Sequence, residues 1–226
     1  MKTVITEELY NYTLQHGTKT HPVVEELIKH NQSLPNGFMQ TSPEQMQLMV
    51  IIAKLMNARK YLEIGSFTGY SAMNMALGVG KHLHITTIDN NIDNLNTAKY
   101  FWKKAGIDEQ IQAHHKDALV VLEKLCNNKP QELFDISFID ANKSQYLKYF
   151  NYCYELTRPS GVIIIDNVLM HGLVLDANNP KLPNYVSAIH NFNQTLINDN
   201  RVEIVMLPFA DGLTLAYKKF TNFITN

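Results

Sequence analysis

From residue 59 onward, short β-branched runs alternate with longer stretches of helical period, and this alternation constrains the chain more than any other feature. Parallel strands need a crossover between them, most often a helix, so repeated strand–helix alternation predicts a parallel sheet with helices on its faces. The strand candidates are residues 60–64, 83–88, 111–115, 134–139 and 162–165. The first, fourth and fifth are almost continuously apolar, as strands covered on both faces should be. Helical patterns fall at 70–79, 91–105, 118–127 and 145–156, and Gly106 fits a helix C-cap. Residues 201–207 and 213–217 flank the turn Pro208-Phe209-Ala210-Asp211-Gly212 and read as an antiparallel hairpin closing the sheet. Before residue 59 the pattern changes. Three amphipathic helices are expected near 6–15, 22–31 and 43–57, the last starting after Thr41 or Ser42 with Pro43 and Glu44. No linker follows them. The expectation is one domain over 1–226, with a helical cap at 1–58 and an α/β core at 59–220.

Composition narrows the function. Lys+Arg total 20 and Asp+Glu 21, giving a net charge of −1. Neither a nucleic acid nor a membrane surface finds an electrostatic footprint in such a chain. The longest clean apolar run, Val162-Ile163-Ile164-Ile165, is far too short to span a bilayer. The N-terminal MKTVITEELY has acids where a secretion signal needs an apolar stretch. Cys126 and Cys153 sit in no metal or redox spacing and are read as reduced thiols of a cytoplasmic protein.

In an open parallel sheet, ligands bind beyond the carboxyl ends of the strands, so the residues there are where chemistry is expected. The first strand runs into Glu63-Ile64-Gly65-Ser66-Phe67-Thr68-Gly69-Tyr70-Ser71. Gly65 permits a tight turn, and Gly69 permits close approach of a ligand or helix. The loop has neither the G-x-G-x-x-G spacing of a dinucleotide site nor the Lys of a P-loop. It suits a ligand without a pyrophosphate, with Glu63 placed to neutralise an ammonium; the bland alternative is a turn with a surface Glu. Asp89, 24 residues beyond Gly65, is either a ribose-binding acid or a helix cap. Asp117 is a plausible cap, and the Ala118 N–H stands where an adenine edge can be read. Together the three strand ends describe an adenosine compound lying across the sheet edge.

The fourth strand ends in Ile139-Asp140-Ala141-Asn142-Lys143, the fifth in Ile165-Asp166-Asn167. Carboxylates brought side by side repel unless a cation joins them. Asp140, Asp166 and Asn167 offer three hard oxygens suited to Mg²⁺, with Mn²⁺ or Ca²⁺ as substitutes; otherwise both acids cap loops. A lysine near a cation and out of water loses basicity, which makes Lys143 a candidate base; its alternative is a surface lysine at a helix start.

The runs LEIGSFTGYSA, KDA, FIDANK, IIIDNV and LPFADGLT, with Asp89, stand in an order that resembles the cation-dependent O-methyltransferases of the caffeoyl-CoA and catechol group. The resemblance extends from about Phe38 to Tyr217. It implies the class I methyltransferase fold, a Rossmann-like three-layer sandwich whose seven-stranded, mostly parallel sheet has an antiparallel last strand. It implies S-adenosylmethionine as cofactor, a divalent cation, a small phenolic substrate and a homodimer. Carried over by motif, Met39 and Thr41 contact the cofactor. Glu63 and Gly65 lie by its methionine part, and Ser71 binds its carboxylate. Asp89 takes the ribose, Ala118 the adenine, and Asp140 also lies near the cofactor. Asp140, Asp166 and Asn167 match the metal ligands, and Lys143 with Asp140 forms the catalytic pair. The sequence departs from the family at Asn142, where many relatives have a second acid, and at Met170, where plant caffeoyl-CoA enzymes have a Trp. His171 reads as a solvated loop residue and residues 173–184 as a substrate-gating insertion; Trp102 sits far off in a helix. The function implied is cation-dependent methyl transfer to a hydroxyl of a vicinal dihydroxy aromatic. The alternatives are a non-catalytic binder of S-adenosyl ligands and a nicotinamide-dependent oxidoreductase.

Overall fold

The computed structural model describes residues 3–128 and 133–220; the first two residues of the N-terminal decapeptide lie outside that range. Seven strands form one sheet: Lys60–Ile64 (β1), His84–Asp89 (β2), Ile111–His115 (β3), Phe134–Ile139 (β4), Thr157–Ile165 (β5), Val202–Leu207 (β6) and Leu213–Lys218 (β7). Their order is β3-β2-β1-β4-β5-β7-β6. The first five run parallel, while β7 is antiparallel to both β5 and β6. The sheet thus has the predicted topology, with the hairpin where the Pro208–Gly212 turn placed it. β5 begins five residues before the expected 162, because Thr157 still pairs with Phe134 before a register shift near Ile136.

Side chains alternate between the two faces, as the two-residue period of a strand requires. Tyr61, Ile85, Ile136, Phe138 and Ile164 face a core shared with Pro22–Gln32 (α2), Pro43–Leu55 (α3), Tyr70–Val79 (α4) and Ile92–Lys104 (α5). Leu62, Ile64, Ile88, Ile139, Ile163 and Ile165 face the other, built with Ala118–Asn127 (α6), Tyr146–Leu156 (α7) and Asn184–Ile197 (α8). The N-terminal helices therefore join the sheet's own core rather than forming a second one. The outermost, Glu7–Gly17 (α1), buries no residue and touches α3.

The sequence pattern predicts no helix over 185–197. Val186, Ile189, Phe192 and Leu196 are nevertheless all buried, at the spacing of one helical face. Three asparagines at 184, 191 and 193 lower the helix propensity of that segment, and packing overrides it. The remaining helix ends follow local chemistry. Asn91 caps α5 by accepting from the Asp93 and Asn94 N–H groups, and Asp117 caps α6 by accepting from Leu119 and Val120. Gly106 adopts φ +68° just past α5, as its C-cap reading requires. Both cysteines are free, and no helix among the described residues is long and apolar enough to cross a membrane.

Candidate active site

The carboxyl ends of β1, β2, β4 and β5 open into one cleft of about 660 Å³, a size typical of small-molecule sites. Met39, Thr41, Gly65, Ser71, Asp89, Asp140, Lys143, Asp166 and Asn167 all line it. Ala118 lines an adjoining hollow that shares Gly65, Asp89 and Ala141 with the main cleft. Topology alone brings these residues together, since they lie on six separate segments. Of the predicted site residues, Glu63 lines neither space.

The loop after β1 is pinned from below and from the side. Gly65 has φ +92°, and a Cβ there would stand 2.0 Å from the Asp140 carbonyl oxygen. Only glycine lets β1 and β4 end this close together. Gly69 has φ +81°, and a Cβ there would meet the Trp102 indole. Trp102, seemingly remote in sequence, is buried under this loop and donates Nε1–H to the Gly69 carbonyl at 3.0 Å. Asp89 is not a helix cap, since Asn91 fills that role. Its Oδ2 accepts the Ser66 and Phe67 N–H groups at 3.0 and 2.9 Å, and its Oδ1 accepts that of Asn91 at 2.8 Å. Asp89 thus shapes the loop in addition to lining the cleft.

Glu63 is neither a surface residue nor a cleft residue; it has no exposure at all. Its carboxyl accepts from Ser71 Oγ and Thr87 Oγ1, each at 2.5 Å, and from Tyr61 OH at 3.3 Å. The Ser71 hydroxyl is thereby turned toward Glu63, while the start of α4 stays in the cleft wall. Burial pushes the Glu63 carboxyl up to about 7, against the opposing pull of those three hydroxyls. Folding therefore raises this pKa above the ordinary 4.5. The native state keeps a proton that the unfolded chain has lost, so stability falls as pH rises from about 4.5 to 7 and is flat above. The loss is roughly 3 kcal/mol. In Glu63→Gln, melting temperature is expected to vary less between pH 5 and pH 8 than in the parent; an unchanged profile would show that another group carries the dependence.

At the far side of the cleft, Asp166 is buried beside Asp140. Burial first, and the Asp140 charge second, raise its pKa, while Gln45, the Asn167 N–H and Lys143 oppose that rise. Lys143 Nζ lies 2.7 Å from Asp140 Oδ1 and 5.3 Å from the Tyr146 ring centroid. Tyr146 is buried close enough to Asp140, Asp166 and Asp211 to feel all three charges, and its hydroxyl has no hydrogen-bond partner. Asn167 adopts φ +55° and donates Nδ2–H to Asp211 Oδ2 at 3.2 Å, which leaves its Oδ1 unused by that bond. Two carboxylates under mutual repulsion, a spare amide oxygen and an unpartnered hydroxyl fit a hard divalent cation with its water. Among the described residues no third His, Cys, Asp or Glu joins the group.

The chain matches the family described as O-methyltransferase over residues 14–219. It is 34% identical over 216 residues to the caffeoyl-CoA O-methyltransferase of Medicago sativa, covering 92% of this chain and 87% of that protein. It is 33% identical over 211 residues to catechol O-methyltransferase domain-containing protein 1 of Mus musculus, covering 93% and 79%. The O-methyltransferase TomG of Streptomyces achromogenes, solved in complex with S-adenosylmethionine (SAM), matches with a TM-score of 0.82 at 27% identity, over 94% of this chain and 96% of that one. The chain belongs to the O-methyltransferase family, whose activity is SAM-dependent methyl transfer. The nicotinamide alternative is set aside by that membership. The residues that the motif resemblance assigns to SAM also fit that cofactor. The first turn of α4 brings N–H groups without helical partners to the cleft wall, where a carboxylate is stabilised. The buried Ser66 hydroxyl beside it has no protein partner.

Proposed function

We propose that the protein transfers the methyl group of SAM to one hydroxyl of a catechol-like aromatic, in a reaction that depends on a divalent cation. The observation that carries this reading is the delivery of Asp140 and Asp166 by neighbouring strands into the cleft that also holds Gly65, Ser71 and Asp89. Asp140, Asp166 and Asn167 would hold the cation. When bound, it supplies positive charge that lowers the pKa of a chelated phenol. A cation held there would favour two adjacent hydroxyls, so a vicinal diol is the substrate class proposed. Gly65, Ser71, Asp89 and, from the adjoining hollow, Ala118 would hold SAM, which supplies an activated methyl.

The remaining work falls to side chains. Lys143, anchored on Asp140, would take the phenolic proton or balance the charge left behind. Phe38, 86% exposed at the rim, and Met39 beside it offer an apolar wall for an aromatic ring. Holding two reactants in register can by itself lower the barrier by roughly 7–11 kcal/mol. A panel of catechols and flavonoids, read by mass shift with and without Mg²⁺, tests the proposal. Vicinal diols should be methylated with Mg²⁺ and not in EDTA. Undiminished turnover in EDTA removes the cation from the reading. SAM binding without methylation of any acceptor favours the non-catalytic alternative. Lys143→Met should lower kcat by about 10²-fold or more with SAM affinity unchanged; an unchanged kcat removes Lys143 from proton handling.

A further inference from the structure

The turn between β6 and β7 does more than close the sheet. Its carboxylate, Asp211, lines the cleft with its side chain only 11% exposed. Its one ion-pair contact among the described residues is with His171, whose Nδ1 lies 3.6 Å from Oδ1; its hydrogen bonds grip the segment that follows β5. Asp211 Oδ2 accepts Asn167 Nδ2–H at 3.2 Å, and Oδ1 accepts the His171 backbone N–H at 2.5 Å. The Asp211 carbonyl accepts Leu169 N–H at 3.0 Å, and the Gly212 carbonyl accepts Val168 N–H at 3.2 Å. The gripped segment is strained: Asn167, Met170 and His171 all have positive φ, as does Ala210 on the gripping side. Left-handed non-glycine residues persist only where their surroundings over-determine them. Gly212 allows the close contact, since a Cβ there would stand 2.4 Å from Leu169 Cγ.

The chemistry of the pair is directional. An amide presents a donor at one end and an acceptor at the other. A carboxylate only accepts, so it selects the NH₂ end of Asn167 and leaves the oxygen for the opposite side. We infer that Asp211 is a positioning residue that orients the Asn167 amide so that Oδ1 is presented to the cation. This inference rests on the cation reading above. Asp211→Asn keeps an acceptor oxygen for the His171 N–H, yet it no longer dictates which end of Asn167 faces it.

Calorimetric titration of the full-length protein with Mg²⁺ tests the idea, alongside a separate SAM titration. Asp211→Asn is expected to weaken Mg²⁺ binding about 10-fold, as loss of a ligand-orienting partner does, with SAM affinity and melting temperature close to the parent's. The same substitution made in an Asn167→Ala background should have no further effect on Mg²⁺ affinity, since the residue through which it acts is gone. Equal Mg²⁺ affinity in parent and Asp211→Asn overturns the positioning role. So does a 10-fold loss that persists in the Asn167→Ala background, which would mark a general electrostatic effect of the lost charge. A parent protein that binds no Mg²⁺ overturns the cation reading itself, and the role given to Asp211 falls with it.

Discussion

Asp140→Ala should lower turnover on a catechol acceptor by on the order of 10³-fold, the cost of losing several kcal/mol of charge stabilisation in the transition state. The residue sits where three lines of the site cross. It ends β4 beside the carboxyl end of β1, with its N–H bonded to the Ile64 carbonyl at 2.9 Å. Its carboxylate anchors Lys143, and its charge helps raise the pKa of Asp166. On the proposed reading, alanine removes a cation ligand, and it frees Lys143 in the same step. It leaves the backbone bond to Ile64 intact, so the fold should survive; removing the half-buried Asp140 carboxylate also relieves the buried Asp166 of its repulsion. Steady-state kinetics at millimolar Mg²⁺, with circular dichroism as the control for folding, gives the answer. Near-parental turnover in a folded variant would defeat the role assigned to this side chain.

The second large effect is structural. Gly65→Ala places a methyl group where the Asp140 carbonyl oxygen already stands, 2.0 Å away, in a backbone conformation that disfavours a side chain. Neither β1 nor β4 can yield, because both lie at the centre of the sheet. A cost of at least about 3 kcal/mol is expected, and for a domain of this size each kcal/mol lowers the melting temperature by roughly 2–4 °C. SAM affinity should fall as well, because the displaced segment carries Ser66 and Phe67, which Asp89 holds in place. Gly106→Ala is the matched control: its φ is also positive, at +68°, but nothing lies within 4 Å of the new methyl group. That variant should lose only about 1 kcal/mol, the price of the backbone conformation alone. If the two variants melt together, steric contact with Asp140 is not what requires glycine at position 65.

The site is legible in the sequence wherever its residues sit at the tips of strands whose period is unmistakable. Gly65, Asp89, Asp140, Asp166 and Asn167 each follow a run such as Phe134–Ile139, so strand ends could be located and the cleft inferred beyond them. Roles that depend on what lies underneath were not legible. Glu63 looks like any acid at the end of a strand, and its burial beneath Ser71 and Thr87 comes from strands β1 and β2 and helix α4 meeting in space. Trp102 lies 33 residues from Gly69 along the chain, and only the packing of α5 brings the indole under that glycine. The α8 helix carried a readable apolar period at 186, 189, 192 and 196, but its asparagines hid it.

The positions of the strands along the chain, the closing hairpin and the residue types at each strand end were set by local patterns, because hydrophobic period and turn chemistry act over a few residues. Which of those residues touch was decided by the tertiary structure. The bond from Asp211 to Asn167 spans 44 positions, and the one from Lys104 to Glu26 spans 78. Such contacts form only after crossovers and hairpin have folded back on the sheet. Their energy depends on distance and burial through space, quantities that separation along a chain does not contain.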